Sequence, residues 1–459
     1  MSTIREEHQQ GKPGSPDSSI GRRSVLIGGV TGAIALLLPT RAAASRSLAP
    51  GAETFDAGVA SAWFDQTLRL IRQTPGFTPP VASRALAYTG VSLFESIVPG
   101  IEDGRSLAGQ VRALPTMPAA GRNVAYDWGI VANSSLASIA RLLFPTASGE
   151  NRAAVDTLEE GILAGARRGV PPGVVRRSVD RGRQVAAAVF DLSTTDGGHE
   201  AFAKNFPPYD PPVGPELWVS TPPGFLPALQ PYWGSCRTFA STSGAACPPG
   251  APTTYDEDPG SRFFEEAYEA YTAVNGLTEE QRAIALFWSD DPGTTVTPPG
   301  HSVSILAQVV RARGASLAEA AIAYAKVGIA VADAFICCWH TKFQVNLLRP
   351  VTYIRDLIDP GWSSLLTTPP FPEFTSGHSV QSGAAAAVLT DLFGEGAFTD
   401  HTHDERGLAP RSFGSFWDAA DEAAVSRLYG GIHFRPAIDL GLVQGRCIGA
   451  QVNALQVRG

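Results

Sequence analysis

Three short clusters of basic and polar residues constrain this chain most strongly, because the fold must bring them together for their chemistry to make sense. They cover residues 342–350 (KFQVNLLRP), 375–378 (TSGH) and 426–433 (SRLYGGIH). Together they supply one lysine, two arginines, two histidines, a serine hydroxyl and a glycine N–H group. Such a set can hold a tetrahedral oxyanion from several sides. We therefore expect the clusters to close around one XO4-type ion near the start of the last helix.

The first two clusters predict helix ends. Lys342 and Arg349 are seven residues apart, close to two turns at about 3.6 residues per turn, so both are expected on one face of a helix that Pro350 stops. The second cluster follows several prolines and precedes an apolar, alanine-rich run. This order predicts a helix that begins near Thr375 or Ser376, with free N–H groups and the positive end of the helix dipole available to an anion.

The third cluster predicts a helix, a turn and a second helix. Arg427 and His433 are six residues apart, which does not place them on one face of a straight helix. The pair Gly430-Gly431 lies between them. We expect one helix to end near Tyr429, a glycine turn to follow, and His433 to lie at the start of the last helix.

The order and spacing of these clusters resemble the superfamily of vanadium-dependent haloperoxidases and type 2 phosphatidic acid phosphatases (PAP2). Its signature is K-x6-RP, then P-S-G-H, then S-R-x5-H, and this chain matches it with Thr375 where the family often has proline. The segments TPPVASRALAYTGVSLFESIVPG, YWGSCRTF and FWSDDPGTTVTPPGH resemble bacterial haloperoxidase-type members. The similarity therefore extends over most of the chain.

The resemblance implies a role for each matched residue. His433 would be the metal ligand of a haloperoxidase, or the phosphorylated nucleophile of a phosphatase. His378 would be the general acid–base at the opposite oxygen, and Lys342 would also take part in catalysis. Trp339 and Phe371 resemble halide-site positions of chloroperoxidase-like members. The residues implied to hold the vanadate cofactor are Lys342, Arg349, Ser376, Gly377, Arg427 and His433.

The acidic residue that supports the site stays open at this point. Asp291 resembles a family aspartate with a catalytic role that pairs with the second arginine, and Asp290 is an equally near candidate. Many members carry an aspartate four residues after the last histidine, but Ala437 occupies that position here and the nearest acid is Asp439. The group that orients the His433 ring is therefore not identified by the resemblance.

Apolar residues recur at helical spacing between residues 54 and 192 and again from 262 to the C-terminus, with breaks at proline- and glycine-rich turns. Residues 196–261 are instead rich in Pro, Gly, Ser and Thr, and we interpret them as a functional lid or an ordered wrap. The prediction is an all-α protein with an N-terminal helical bundle over 45–195 and a C-terminal helical bundle over 262–459. The two bundles are expected to pack together, with long Pro/Gly-rich loops and the active site in the C-terminal bundle.

Residues 1–44 are interpreted as an export signal. The segment GRRSVL at 21–26 resembles a twin-arginine motif, an apolar stretch follows over 25–38, and AAA at 42–44 fits a cleavage site. A membrane anchor is the alternative, but 25–38 is short for a span. We expect export to the periplasm or the extracellular space. No later membrane span is expected, because the most apolar helix, 317–339, carries three charged residues: Glu319, Lys326 and Asp333.

Two smaller patterns carry their own expectations. In an exported protein a disulfide between Cys236 and Cys247 is plausible, whereas Cys447 has no obvious mate and Cys337-Cys338 are expected to pack as small apolar groups. The segment HTHDE at 401–405 is interpreted as an exposed acidic loop with two solvated histidines, with a metal cluster as the alternative.

The function that the sequence favours is a vanadate-dependent haloperoxidase that oxidises halide with hydrogen peroxide and passes the product to a small organic acceptor, with one vanadate per site. The alternative is an exported acid phosphatase that works through a phosphohistidine and has no cofactor. A third hypothesis is an anion-binding protein without turnover. The formal net charge of −8 and the absence of basic runs argue against nucleic acid as a partner, and a homo-oligomer is compatible with the sequence.

Overall fold

The computed structural model describes residues 50–121 and 123–459, which belong to one compact unit. The export signal predicted over 1–44 lies outside the described residues. Within them the chain is built from α-helices and one small antiparallel sheet, so the all-α prediction is confirmed. The helices are α1 (Gly58–Gln73), α2 (Pro79–Ile97), α3 (Trp128–Leu143), α4 (Gly149–Ala166), α5 (Pro172–Ser193), α6 (Arg262–Asn275), α7 (Glu279–Phe287), α8 (Thr297–Ala312), α9 (Leu317–Val345), α10 (Pro350–Leu357), α11 (Gly377–Phe393), α12 (Phe416–Tyr429) and α13 (Arg435–Asn453), and the strands are β1 (Phe398–Asp400) and β2 (Arg411–Phe413).

Several helix starts are set by side-chain caps that the local sequence encodes. Before α9, the Ser316 hydroxyl accepts the Glu319 N–H and the Glu319 carboxylate accepts the Ser316 N–H. Thr278 and Gln281 form the same reciprocal pair before α7. Each pair satisfies two N–H groups that a helix start would otherwise leave without partners.

Helix α9 is the central element of the core. It packs against α2 on one side and against α11 and α13 on another. The approach to α2 is so close that a Cβ atom on Gly90 would lie 2.4 Å from the carbonyl oxygen of Tyr324. Among the described residues α9 is the helix long and apolar enough to cross a membrane, and its most apolar stretch is entirely buried inside the protein.

Helices α11 and α13 bring the second and third clusters together. At Gly445 an added Cβ would lie 2.2 Å from the carbonyl oxygen of Val380, so a side chain there would push the two helices apart. Before α11, the Ser376 N–H donates to the carbonyl oxygen of Ala437 over 2.9 Å. The start of α11 is therefore fixed against the first turn of α13.

The segment 196–261 is described throughout and contains short 3-10 turns but no α-helix or sheet strand. Its anchor is the buried carboxylate of Asp333 on α9, which accepts the N–H groups of Phe239, Ala240 and Ser241 over 2.6, 2.9 and 2.7 Å. At the loop before α11, the Leu229 N–H donates to the carbonyl oxygen of Pro370 over 2.8 Å. These bonds make the segment an ordered wrap that is tied directly to the core.

The disulfide prediction is wrong in its pairing. Cys247 is bonded to Cys447 on α13, 200 residues later, and Cys236 is a free thiol. Proximity in the sequence favoured Cys236, but the wrap crosses the C-terminal helix and places Cys247 beside it. Cys337 and Cys338 are buried, as predicted for small apolar groups.

Candidate active site

A cavity of about 310 Å³ lies where the start of α11 and the turn before α13 meet the wrap. Its polar end is formed by Gly377, His378, Arg427 and His433. The rest of its wall is mostly apolar and comes from the wrap, from α9 and from the loop before α11. Sequence positions more than 200 residues apart therefore line one chamber.

Lys342 lies behind this wall in the last turn of α9 and is fully buried. Its ammonium group donates to the carbonyl oxygens of Pro372 and Glu373 over 2.9 and 2.8 Å. An ammonium group has three protons to donate. These two bonds leave one proton for a ligand, as the role implied by the resemblance requires.

Arg349 reaches the site by a different route from the one predicted. Helix α9 ends at Val345, Asn346 adopts a left-handed conformation, and Arg349 is the N-cap of α10, with Pro350 at its first position. The expectation that Lys342 and Arg349 share one helix face is therefore wrong. Proline at this position starts a helix rather than stopping one, because its missing N–H would have no partner there.

The guanidinium group of Arg349 is fixed on two sides. Nε donates to the carbonyl oxygen of Phe371 over 2.8 Å, and Nη1 donates to that of Ile432 over 2.7 Å and lies 3.3 Å from His433 Nε2. Nη2 is buried and has no hydrogen-bond partner within residues 50–121 and 123–459. Since a buried donor seldom lacks an acceptor, Nη2 is available for an anion.

The second cluster forms the predicted helix start. Ser376 caps α11 by accepting the Ser379 N–H over 3.3 Å, which leaves the proton of its hydroxyl free to donate elsewhere. Gly377 is the first residue of the helix, and His378 follows on the cavity wall. The His378 Nε2 atom is buried and makes no hydrogen bond to any described residue.

The third cluster also adopts the predicted local structure. Helix α12 ends at Tyr429, Gly431 has a φ of +71° that favours glycine, and α13 begins at Arg435, two residues after His433. The guanidinium group of Arg427 donates from Nε to the Ser426 hydroxyl over 2.9 Å and from Nη2 to the carbonyl oxygen of Trp288 over 2.7 Å. The turn directs both Arg427 and His433 to the cavity.

The residue that orients His433 is Glu373, which the sequence analysis missed. Its carboxylate lies 2.7 Å from His433 Nδ1 and also accepts the Phe434 N–H over 2.9 Å. Asp439, the nearest acid by sequence, makes no such contact. The available signal was an acidic residue among the prolines just before TSGH, but its partner is 60 positions away.

The aspartates before α8 do not pair with Arg427 as expected. Asp291 accepts a hydrogen bond from the Ser289 hydroxyl over 3.1 Å, and Asp290 is bound by His301 over 2.9 Å. Neither forms an ion pair with an arginine in the described part of the chain, and the Trp288 carbonyl holds Arg427 instead. Asp290 and Asp291 both line the cavity, and each acts on Arg427 through its charge.

Trp339 and Phe371, the two halide-site candidates, lie side by side on the cavity wall. Their ring centroids are 4.8 Å apart, and the Trp339 indole N–H donates to the carbonyl oxygen of Leu229 in the wrap over 3.2 Å. The Phe371 ring lies over the Lys342 ammonium at 5.1 Å and the Arg349 guanidinium at 5.0 Å. An anion beside these rings would sit next to the buried positive charge.

The cations of the site are buried with little compensation. Burial lowers the pKa of Lys342 to about 7 and those of Arg349 and Arg427 to about 10. Burial also raises the pKa of Glu373 to about 7, against the attraction of Arg349. A bound oxyanion would offset this uncompensated positive charge, and the site is therefore built for one.

Both histidines are held in the neutral form. Burial lowers the pKa of His378 well below its usual value and Arg427 lowers it further. Burial likewise lowers the pKa of His433, with Arg349 as the next cause. A neutral imidazole keeps one nitrogen lone pair, so each ring can act as a metal ligand or a proton acceptor.

The comparisons with known proteins identify the family to which this chain is similar. Residues 322–458 match the family model of the second helical-bundle domain of vanadium chloroperoxidase (VCPO). The crystal structure of the first bacterial vanadium-dependent iodoperoxidase superposes with a TM-score of 0.79 at 35% sequence identity, covering 87% of this chain and 96% of that one.

Two further relatives are more distant. The vanadium chloroperoxidase of Curvularia inaequalis is 24% identical over an alignment of 303 residues. This match covers 50% of this chain and 48% of the relative, about half of that protein's length. A bacterial vanadium-dependent chloroperoxidase crystallised in its holo form has a TM-score of 0.64 at 17% identity, covering 84% of this chain and 93% of that one. The latter similarity shows a shared fold.

Proposed function

Because this chain belongs to the vanadium-dependent haloperoxidases, we propose that it oxidises halide with hydrogen peroxide on a bound vanadate. The observation that carries the proposal is that three buried cations and two neutral histidines lie together at one end of a cavity. Arg427, His378 and His433 line that end, while Lys342 and Arg349 are fully buried behind its wall, with Arg349 Nη1 3.3 Å from His433 Nε2. Its relatives favour this activity over the phosphatase alternative.

Vanadate fits the residues that are present. Arg349 Nη2 and His378 Nε2 are buried atoms without partners among the described residues, and Lys342 has one proton to spare. His433 would be the ligand of the metal. The oxygens would be held by Lys342, Arg349, Arg427, Ser376 and the Gly377 N–H. When bound, vanadate supplies a Lewis acid that activates peroxide without changing its own oxidation state.

Glu373 prepares His433 for coordination. Above its pKa of about 7 the Glu373 carboxylate is ionised and only accepts hydrogen bonds, so it places the proton of the neutral ring on Nδ1, 2.7 Å away. The lone pair is then on Nε2. A carboxylate behind a ligating histidine raises the basicity of the ring and fixes its orientation.

His378, which also lines the cavity, would provide the proton-accepting group. Its neutral ring, with an unpartnered Nε2, can take a proton from hydrogen peroxide as it enters the cavity and return it to the departing oxygen. Lys342 and Arg427 would bring positive charge to the oxygens of the bound group, which would make oxygen there more electrophilic toward halide. Halide would approach along Trp339 and Phe371, and the apolar cavity would admit a small organic acceptor.

The experiment compares two activities in one preparation. The purified protein is stripped of metal, reloaded with orthovanadate and assayed with peroxide and iodide, bromide or chloride, in parallel with aryl-phosphate hydrolysis. We expect halide oxidation that requires vanadate and is lost in His433→Ala but kept in His199→Ala, a partly exposed histidine that does not line the cavity. Phosphate hydrolysis without halide oxidation would establish the phosphatase, and vanadate binding without either would establish an anion-binding protein.

Export is a further part of the proposal. The Cys247–Cys447 disulfide supports it, because disulfides persist in oxidising compartments. Replacing both Arg22 and Arg23 with lysine should retain the protein in the cytoplasm, as measured by fractionation of a host that has the twin-arginine pathway. Equal export of wild type and variant would refute that route.

A further inference from the structure

Three buried side chains from separate segments meet beside the cavity, which one of them, Asp290, also lines. Asp290 follows α7, His301 lies in α8, and His403 belongs to the loop between β1 and β2. Their exposed fractions are 4%, 1% and 3%, and one nitrogen or oxygen atom from each lies within 4.8 Å of the others. The expectation that both histidines of the 401–405 loop are solvated is wrong for His403, because the β-hairpin folds it into the core.

The hydrogen bonds of this cluster are incomplete. Asp290 Oδ2 lies 2.9 Å from His301 Nδ1 in a normal hydrogen bond. Asp290 Oδ1 lies 3.2 Å from His403 Nε2, but the angles of this approach do not make a hydrogen bond. Asp290 Oδ1 and His403 Nε2 therefore have no hydrogen-bond partner in the part of the chain that the structure describes. Buried polar atoms in that condition call for an explanation such as an ion.

The spacing fits the coordination of a small divalent cation. Zinc binds imidazole nitrogen and carboxylate oxygen at about 2.0–2.2 Å in a tetrahedron, which places neighbouring ligand atoms about 3.3 Å apart. The two pairs at 2.9 and 3.2 Å involve the two different oxygens of Asp290 and need to open by only a few tenths of an ångström. The ligand nitrogens of the two histidines lie within 4.8 Å of each other and would approach by up to about 1.5 Å to reach the same spacing. One carboxylate and two histidines are also a common zinc ligand set, with a fourth position left for water.

The residue behind His301 supports this interpretation. Asp400 Oδ2 lies 2.7 Å from His301 Nε2, so it can accept the ring proton on the side away from the cluster. The Asp400 carboxylate also accepts from the Thr402 hydroxyl and N–H and from the Gln308 amide. A metal-binding histidine usually donates its second nitrogen to such a fixed carboxylate.

We propose that Asp290, His301 and His403 bind a divalent transition-metal ion of the zinc type, separate from the vanadate site. The ion replaces the proton on His301 Nδ1 and offsets the charges of the Asp290 and Asp400 carboxylates. The ion fastens the β1–β2 loop to the cavity wall.

Trp288 connects the proposed ion site to the active site. The Trp288 ring stacks on His301 with centroids 4.5 Å apart and planes at 19°. The carbonyl oxygen of the same residue accepts the Arg427 guanidinium over 2.7 Å. The ion therefore stabilises the segment that positions Arg427, without touching the reacting atoms.

The test uses tag-free, full-length protein without vanadate, treated with a chelator and then titrated with Zn²⁺ by calorimetry and with Co²⁺ by visible absorption. We expect one tight equivalent of Zn²⁺, a raised melting temperature, and Co²⁺ ligand-field bands. His403→Ala should lose all three. The matched control is His401→Ala, whose ring is exposed in the same loop and which should behave like wild type.

A second variant distinguishes a metal site from a cluster that is held by hydrogen bonds alone. Asp400→Asn keeps the size of the side chain but weakens its hold on His301, and should reduce zinc affinity roughly 10- to 100-fold. If the wild type binds no stoichiometric Zn²⁺ and its melting temperature does not change, His301 is a cation bridging two carboxylates and the proposal is overturned. Binding that is unchanged in His403→Ala overturns it as well. Neither result depends on the haloperoxidase activity, because no vanadate is present.

Discussion

At the scale of single residues, the site depends on buried charges that have few partners inside the protein. Lys342, Arg349 and Arg427 are each at most 2% exposed, and backbone carbonyl oxygens make up most of their contacts. Carbonyl dipoles hold a cation in place but do not neutralise it. These charges are costly to bury without a counter-ion, and binding of an oxyanion offsets that cost.

Glu373→Gln tests the group behind His433. The amide no longer fixes the ring proton on Nδ1, so vanadate affinity should fall roughly 10- to 100-fold. The measurement is the dissociation constant of vanadate by calorimetry. Glu395→Gln, a change of an exposed glutamate, is the matched control and should leave the constant unchanged. An unaltered affinity in Glu373→Gln would show that the carboxylate does not prepare the ligand.

The pH dependence of anion binding tests Lys342. Its pKa is about 7, so raising the pH through 7 removes the charge that attracts the anion, and affinity should fall. Binding of vanadate near pH 8 should then take up a proton, measured by calorimetry in buffers of different ionisation enthalpy. Lys342→Met should lose that uptake. Because vanadate itself is protonated to the same extent in both experiments, the difference between the two proteins reports the proton taken up by Lys342.

The lowered pKa of Lys342 also determines how the stability of the protein changes with pH. The pKa of Lys342 is lower in the fold than in the unfolded chain, so the unfolded chain binds the extra proton between pH 7 and the ordinary lysine value of about 10.4. The stability of the vanadate-free protein should rise over that window relative to Lys342→Met. Below pH 7 both states carry the proton and the difference between the two proteins should be constant.

At the scale of elements, α9 connects the wrap to the site. Asp333 on its buried face holds three wrap N–H groups, and Lys342 lies in its last turn. Between them, the Trp339 side chain holds Leu229 of the wrap. One rigid helix thus fixes both the polar end of the cavity and part of its apolar wall.

Asp333→Ala tests this connection. The change leaves three buried N–H groups without an acceptor, so the free energy of unfolding should fall by roughly 2–5 kcal/mol. Urea denaturation measures the loss, and amide hydrogen exchange should rise first at residues 239–241. Asp180→Ala, an exposed aspartate on α5, should change stability by no more than about 0.5 kcal/mol.

At the scale of the whole molecule, one covalent link ties the wrap to the C-terminal helix. Cys247 and Cys447 are 200 residues apart in the sequence, and every residue implied to hold the cofactor lies between them. A cross-link restricts the unfolded chain, and more so when the loop is long. It therefore favours the state in which the three clusters are assembled.

Reduction of this link should lower the free energy of unfolding by about 2–5 kcal/mol. The measurement compares urea denaturation with and without dithiothreitol. Cys236→Ala should keep the full effect of the reductant, because this thiol is free, and Cys447→Ala should abolish it. An effect that disappears in Cys236→Ala would show that the pairing expected from the sequence was right after all.

Local chain chemistry determined much of this protein in advance. Helical periodicity with Pro and Gly breaks predicted the all-α class, the prolines and Ser376 predicted the start of α11, and Gly430-Gly431 predicted the turn before His433. These features depend on interactions within a few residues, which a sequence displays directly. The two histidines and three cations of the site were also identifiable by residue type and spacing.

Contacts between distant segments were decided by tertiary structure. Glu373 as partner of His433, Cys447 as partner of Cys247, the burial of His403, and the arrival of Arg349 from a second helix all depend on how α9, α11 and α13 pack. Burial and long-range proximity also set the pKa values, because desolvation has no local signature in the chain. The sequence therefore determines which residue types are present and how they are spaced. The contact partners and the charge states of the site residues are determined only when the core forms.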